Sequence, residues 1–159
     1  MHITVISVGK LKEKYWKEAL QEYSKRLSKY CKLDIVEVQD EKAPETMTKA
    51  EQQQVCYKEG QRILKVVKEN AFVIALAIEG RMFSSEQFAK QIQKNAVQGV
   101  SHMIFIIGGS LGLSKEVMQR ADRAISFSAM TFPHQMMRVI LLEQIYRAMR
   151  IINGEPYHK

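Results

Sequence analysis

Chemistry-bearing residues gather at three places in this 159-residue chain. The first is "FIIGGSLGL", where an apolar run stops at Gly108 and Gly109 and a third glycine follows at Gly112. Glycines there permit close backbone approach to a flat ligand and free access to positive φ, and a plain tight turn fits the same residues. The second is "SFSAMTFPH", small and hydroxyl residues ahead of Pro133, an ordered loop able to offer backbone donors and acceptors beside an apolar wall. The third is the terminal "EPYHK", which sets a phenol, an imidazole and an ammonium at Tyr157, His158 and Lys159. Such a trio can move a proton or hold an anion; a disordered tail is the alternative.

Familiar catalytic signatures are missing. A phosphate-cradling loop needs GxxxxGK[ST], but Leu113 stands five residues after Gly108 and Ser114 five after Gly109. A dinucleotide fingerprint needs GxGxxG, and "SVGKLKEKYW" offers only Gly9. There is no GxSxG elbow, no HExxH and no paired-histidine site, so no metal is expected. Of the four histidines, His2 reads as frayed terminus, His102 as part of a polar turn, and His134 as a helix start with a structural or capping role, catalysis being the alternative. Cys31 and Cys56 match no ligand spacing and read as reduced thiols.

The elements that must position these residues follow from hydrophobic periodicity. Residues 3–8 read as a buried strand, followed by a helix marked by Trp16, Ala19, Leu20, Tyr23 and Leu27. "LDIVEV" (33–38) alternates as a strand does, "QDEKAPET" is a polar loop, and a long polar helix spans about 48–67 with Val55, Ile63, Leu64 and Val67 on its apolar side. "AFVIALAI" (71–78) suits a strand buried on both faces. Ser84 with Gln87 makes a capping box for a helix ending near Gly99. A strand at 103–107, a short helix from Ser114 to about Asp122, a last strand at 125–128 and an apolar helix from 134 to 152 complete the order.

Strands alternating with helices of this length indicate a single α/β domain over 1–159, a mainly parallel sheet covered by helices on both faces. Ligands of such sheets sit beyond the carboxyl ends of the strands, so the loops after residues 78, 107 and 128 are the places for chemistry. The last helix is apolar around most of its circumference, from Met136 to Ile152. A domain this small is not expected to place it at the centre, so a second copy of the chain is the simplest cover, with a central core helix as the alternative.

Net charge is +7, with Lys10, Lys12, Lys14, Lys17, Lys25, Arg26, Lys29 and Lys32 set against only Glu13, Glu18 and Glu22 in the first helical region. That balance suits an anionic partner such as RNA, and a solvated helix face is the alternative. The first residues lack a basic leader, and no segment approaches the ~18 apolar residues of a membrane span, so a soluble cytoplasmic protein is expected.

Taken together, "FIIGGSLGL", "SFSAMTFPHQMMRVILLEQIYRA" and "PYHK" closely resemble the RlmH family of small SPOUT-class methyltransferases, and "ITVISVGKLKEKYWKEALQEYSKRL" extends the likeness over essentially the whole chain. The resemblance implies a SPOUT fold with a C-terminal trefoil knot, bound S-adenosylmethionine, and a homodimer formed through the knotted region. It implies N3-methylation of a pseudouridine in a stem-loop of 23S rRNA, with the assembled ribosome as substrate. Carried onto this sequence, the cofactor positions are Leu76, Gly108 and Phe127, Ser128, Ala129, Met130, Thr131 and Phe132. The catalytic candidates are Arg147, Tyr157, His158 and Lys159, the tail reaching the partner subunit's site. Other readings are a non-catalytic RNA-binding protein and a SPOUT methyltransferase acting on tRNA.

Overall fold

The computed structural model describes residues 1–159. Apolar runs become strands β1 (His2–Val8), β2 (Lys32–Val38), β3 (Phe72–Met82), β4 (His102–Ile107) and β5 (Arg123–Ser126). Between and after them lie helices α1 (Lys14–Leu27), α2 (Lys49–Val66), α3 (Ser85–Val97), α4 (Lys115–Arg120) and α5 (His134–Ile152). The strands form one sheet in the order β2-β1-β4-β3-β5, and every pairing is parallel. The α/β architecture expected from the alternation is therefore the observed one.

Period-two alternation sorts the strand side chains between two cores. Ile3, Val5, Ile74, Met103, Phe105 and Ile107 pack with Leu20 and Leu27 of α1, Phe88 and Ile92 of α3, and Leu141, Leu142 and Ile145 of α5. Their neighbours Ile6, Val8, Val73, Ile104 and Ile106 face the other way, onto Ile63 of α2 and Val117 of α4. Each fully buried side chain of this size contributes roughly 1.5–3 kcal/mol, so the covered sheet carries most of the stability.

Capping boxes start two helices: Thr48 with Glu51 for α2, and Ser84 with Gln87 for α3. Helix α5 packs against both α1 and α3 as well as the sheet, burying Leu141, Leu142, Ile145, Ala148 and Met149. It thus lies at the centre of its layer, contrary to the sequence expectation. Neighbouring helices cover both of its flanks, which accounts for much of its all-round apolar character.

Four further expectations need correction. Strand β5 spans Arg123–Ser126 rather than 125–128, because pairing with β3, which the local sequence does not encode, begins at Arg123 opposite Ile74. Strand β3 continues past residue 78 to Met82. His2 is not frayed: it lies in β1, bonds Asp34 at 2.6 Å and stacks on His102 with ring centroids 4.0 Å apart. His102 belongs to β4 rather than to a turn, and its Nε2 lies 2.9 Å from the Thr4 hydroxyl.

Helices α3 and α4 leave the sheet on opposite faces, although they follow adjacent strands. Above the paired ends Leu76 and Ile107 the two connections diverge, and a crevice opens between them.

Candidate functional site

The first wall of the crevice is the glycine turn after β4. The Gly112 N–H donates to the Gly109 carbonyl at 3.1 Å, and Gly112 has φ +83°, a left-handed conformation that favours glycine. A Cβ on Gly108 would lie 2.8 Å from the Gly112 carbonyl carbon and oxygen, so the turn closes only without a side chain there. Ser114, buried just beyond, accepts the Val117 N–H and starts α4.

The second wall comes from β3. Ile125 of β5 is the partner of both Leu76 and Arg81, so the four residues between them form an excursion from the ladder. Gly80 makes this possible, because a Cβ there would stand 2.6 Å from the Ile125 carbonyl carbon. Ala77, Ile78 and Glu79 of the excursion line the crevice. The sequence placed a strand end here but gave no sign that the strand resumes.

The third wall is the segment from β5 into α5. The Ser126 hydroxyl donates to the Ser128 carbonyl at 3.0 Å, and the Met130 N–H donates to the Ser128 hydroxyl at 2.9 Å, so the loop is held by its own hydroxyls. Pro133 then leads into α5, whose His134 and Met137 close the wall.

Together the walls enclose about 460 Å³ and are formed by 20 residues, 11 of them hydrophobic. That lies within the ~300–1,000 Å³ typical of small-molecule sites. Seven positions named from the sequence lie in the lining: Leu76, Gly108, Phe127, Ser128, Met130, Thr131 and Phe132. Ala129 is exposed and outside it. The lining holds no Lys or Arg, and its one charged side chain is Glu79. A phosphate would find no cationic partner among these side chains, whereas an uncharged or cationic nucleoside meets no repulsion.

Sequence reading missed the polar groups behind the walls. Arg138 of α5 is buried; it donates to the Val8 and Gly9 carbonyls at 2.8 and 2.9 Å and to Glu37 at 2.7 Å. Burial lowers its pKa, and the Glu37 contact opposes that shift. Glu59 of α2 is also buried and accepts the Glu41 N–H at 3.1 Å, with burial raising its carboxyl pKa. Its carboxylate stands 3.4 Å from where a Gly109 Cβ would be, directly behind the glycine turn. A T-x-x-E or E-G pattern could have drawn attention to α2, but the burial of Glu59 depends on a loop about fifty residues away.

The tail lies elsewhere in the chain. Tyr157 donates to Glu143 at 3.1 Å, and burial, together with that carboxylate, raises its pKa. Arg147 bonds Glu143 at 2.6 Å and covers the Tyr157 ring at 4.7 Å. His158 has both nitrogens engaged: Nδ1 is 3.3 Å from Arg147 and Nε2 is 2.9 Å from Glu86. The Glu86 carboxyl is lowered to about 2, first by its backbone N–H at the start of α3 and then by His158. Arg147, Tyr157 and His158 are thus brought together, Lys159 stays exposed, and none of the four lines the crevice.

No three His, Cys, Asp or Glu side chains assemble a metal-binding cluster, and no helix is long and apolar enough to cross a membrane. Both cysteines are free, and burial pushes the Cys31 thiol up to about 11.

Fold and crevice together define a parallel-sheet α/β protein with a nucleoside-sized cleft beyond its strand ends. The chain belongs to the SPOUT methyltransferases: the family model described as "Predicted SPOUT methyltransferase" matches residues 1–158. A solved structure of a probable methylase family protein from Haemophilus influenzae Rd KW20 shares the fold, with a TM-score of 0.58 at 12% identity over 99% of this chain and 70% of that one. SPOUT methyltransferases use S-adenosylmethionine to methylate RNA. The cleft fits that cofactor: its volume suffices, its lining lacks phosphate-binding cations, and Glu79 complements a ligand whose sulfonium gives it net positive charge.

Proposed function

We propose that this chain transfers a methyl group from S-adenosylmethionine to N3 of a pseudouridine in 23S rRNA of the assembled ribosome, working as a knotted homodimer. The observation that carries the proposal is the gathering of Leu76, Gly108, Phe127, Ser128, Met130, Thr131 and Phe132 around one cation-free cleft, positions named from their RlmH-like motifs alone. The cofactor supplies an electrophilic methyl group, which leaves alignment and proton removal to the protein. The glycine turn and the Phe127–Phe132 backbone hold the adenosine, with Leu76 and Phe132 as apolar contacts. His158 takes or orients the N3 proton, Arg147 and Lys159 favour the resulting anion, and Tyr157 fixes the tail.

The homodimer accounts for the distance between tail and cleft, since a partner's tail can approach a cleft that its own chain's tail does not line. Exposed Ile78 and Met130 at the cleft and Met82 on the adjoining strand supply apolar area for such contact. Elsewhere on the surface, Lys10, Lys12, Lys17 and Lys25 are exposed and without an ion-pair partner, a charge distribution suited to rRNA phosphates.

The test is incubation with radiolabelled cofactor and separate pools of ribosomes, subunits, naked rRNA and tRNA. Label at a 23S pseudouridine of ribosomes is expected. Label confined to tRNA overturns the substrate, and no label in any pool, with intact folded protein, overturns the catalytic reading in favour of RNA binding alone.

A further inference from the structure

His134 opens α5 and contributes to the cleft wall. Among the lining residues it carries the only side-chain nitrogen; the other polar side chains are the hydroxyls of Ser110, Ser126, Ser128 and Thr131 and the Glu79 carboxylate. Its two ring nitrogens have unlike surroundings. Nδ1 is buried without a hydrogen-bond partner, so on a residue that lines the cleft Nε2 is the nitrogen left accessible to a ligand.

A proton on Nδ1 would be a buried donor with nothing to receive it, so the single proton of the neutral ring belongs on Nε2. Burial first, and then the Arg138 cation, lower the pKa of the ring, with Asp40 opposing them. The side chain therefore presents one neutral N–H donor to the cavity at neutral pH. S-adenosylmethionine has an ammonium, a sulfonium and a carboxylate besides its adenosine. Glu79 complements the cations, but no Lys or Arg in the lining meets the carboxylate.

We propose that His134 is a cofactor-binding residue whose Nε2–H donates to the carboxylate of the cofactor's amino-acid portion. The assignment rests on the reading of the cleft as the S-adenosylmethionine site. It gives that site a selectivity element for the amino-acid end, separate from the backbone groups that hold the nucleoside.

The experiment is calorimetric titration of the full chain with two ligands: S-adenosylhomocysteine, and 5′-methylthioadenosine, which lacks the amino-acid carboxylate. The expected result is that His134→Phe weakens S-adenosylhomocysteine at least tenfold, as loss of a charge-assisted hydrogen bond should, while methylthioadenosine changes by less than about twofold. His134→Gln, whose amide N–H lies near the Nε2 position, should recover most of the lost affinity. It also provides the comparison should the Phe variant fold poorly. Equal weakening of both ligands in both variants, or unaltered binding of S-adenosylhomocysteine by both, overturns the role of His134. Failure of the wild-type protein to bind either ligand overturns the cofactor reading itself and this inference with it.

Discussion

Arg138 and Glu37 meet at 2.7 Å across 101 residues of chain, joining the second turn of α5 to the outer strand β2. The same Glu37 oxygen accepts the Leu11 N–H at 2.9 Å, and Arg138 also holds the carbonyls that end β1. One buried guanidinium therefore fixes the start of α5, and with it the cleft wall at His134 and Met137.

Arg138→Met should lower unfolding free energy by about 1–3 kcal/mol, because it leaves two carbonyls without their side-chain donor and the partly exposed Glu37 carboxylate with the Leu11 N–H alone. Arg138→Lys should recover only part of the loss, since an ammonium cannot reproduce the planar fork. Urea denaturation measures both; a methionine variant as stable as wild type would show that the pair contributes no net stability.

Gly60→Ala pits two effects against each other. Alanine in a helix interior gains up to about 1 kcal/mol in propensity. Its Cβ would nevertheless stand 2.2 Å from the Ser114 hydroxyl and displace the cap of α4, at about 1 kcal/mol for the cap and ~1–3 kcal/mol for overpacking. Net destabilisation of about 1–3 kcal/mol is expected in thermal melts, and a raised melting temperature would show that α2 packs less tightly behind the turn.

Gly108→Ala should act on the ligand more than on the fold. The added methyl forces the glycine turn apart at its narrowest contact, on the cleft side of a core that is otherwise unchanged. Affinity for S-adenosylhomocysteine should fall more than tenfold with far-ultraviolet dichroism preserved. Wild-type affinity would mean that the cofactor sits elsewhere.

Acid should destabilise the sheet through His102. Burial first, then the charge of His2, lower its pKa, with Lys68 and Lys32 acting the same way and Asp34 against them. Below the unfolded value of about 6.5 the unfolded chain takes up a proton that the folded chain refuses, so stability is complete above that pH and is lost as pH falls toward the depressed value. His102→Gln, which retains a bond to Thr4, should reduce the drop in melting temperature between pH 7.5 and pH 5.5. His134, shifted in the same direction, should leave a residual slope.

Removal of Tyr157, His158 and Lys159 should abolish methyl transfer while cofactor binding is retained, because none of the three lines the cleft of its own chain. Unchanged turnover by the truncated protein would eliminate the tail from catalysis.

The sequence made visible whatever depends on neighbours along the chain. The boundaries of α5 were read to the residue, β1, β2 and β4 to within one, and the Ser84 and Ser114 caps were recognised from residue type. What escaped depends on partners far away. Arg138 interrupts an otherwise apolar stretch of helix, and its burial is intelligible only once Glu37 is beside it. Glu59 resembled its many solvated neighbours on α2, and the resumption of β3 at Arg81 requires β5 alongside. The cleft positions were named by resemblance rather than by pattern, since glycines and serines alone are equally compatible with ordinary turns.

Ile125 clasps the β3 excursion at both ends, through Leu76 and through Arg81, so Ala77, Ile78 and Glu79 are ordered before any ligand arrives. The conformational entropy of that segment is surrendered during folding and does not recur when a molecule enters. The heat capacity change on capture should therefore correspond to the apolar area of the ligand and its contacts alone, without the larger decrement that accompanies a segment folding around its guest.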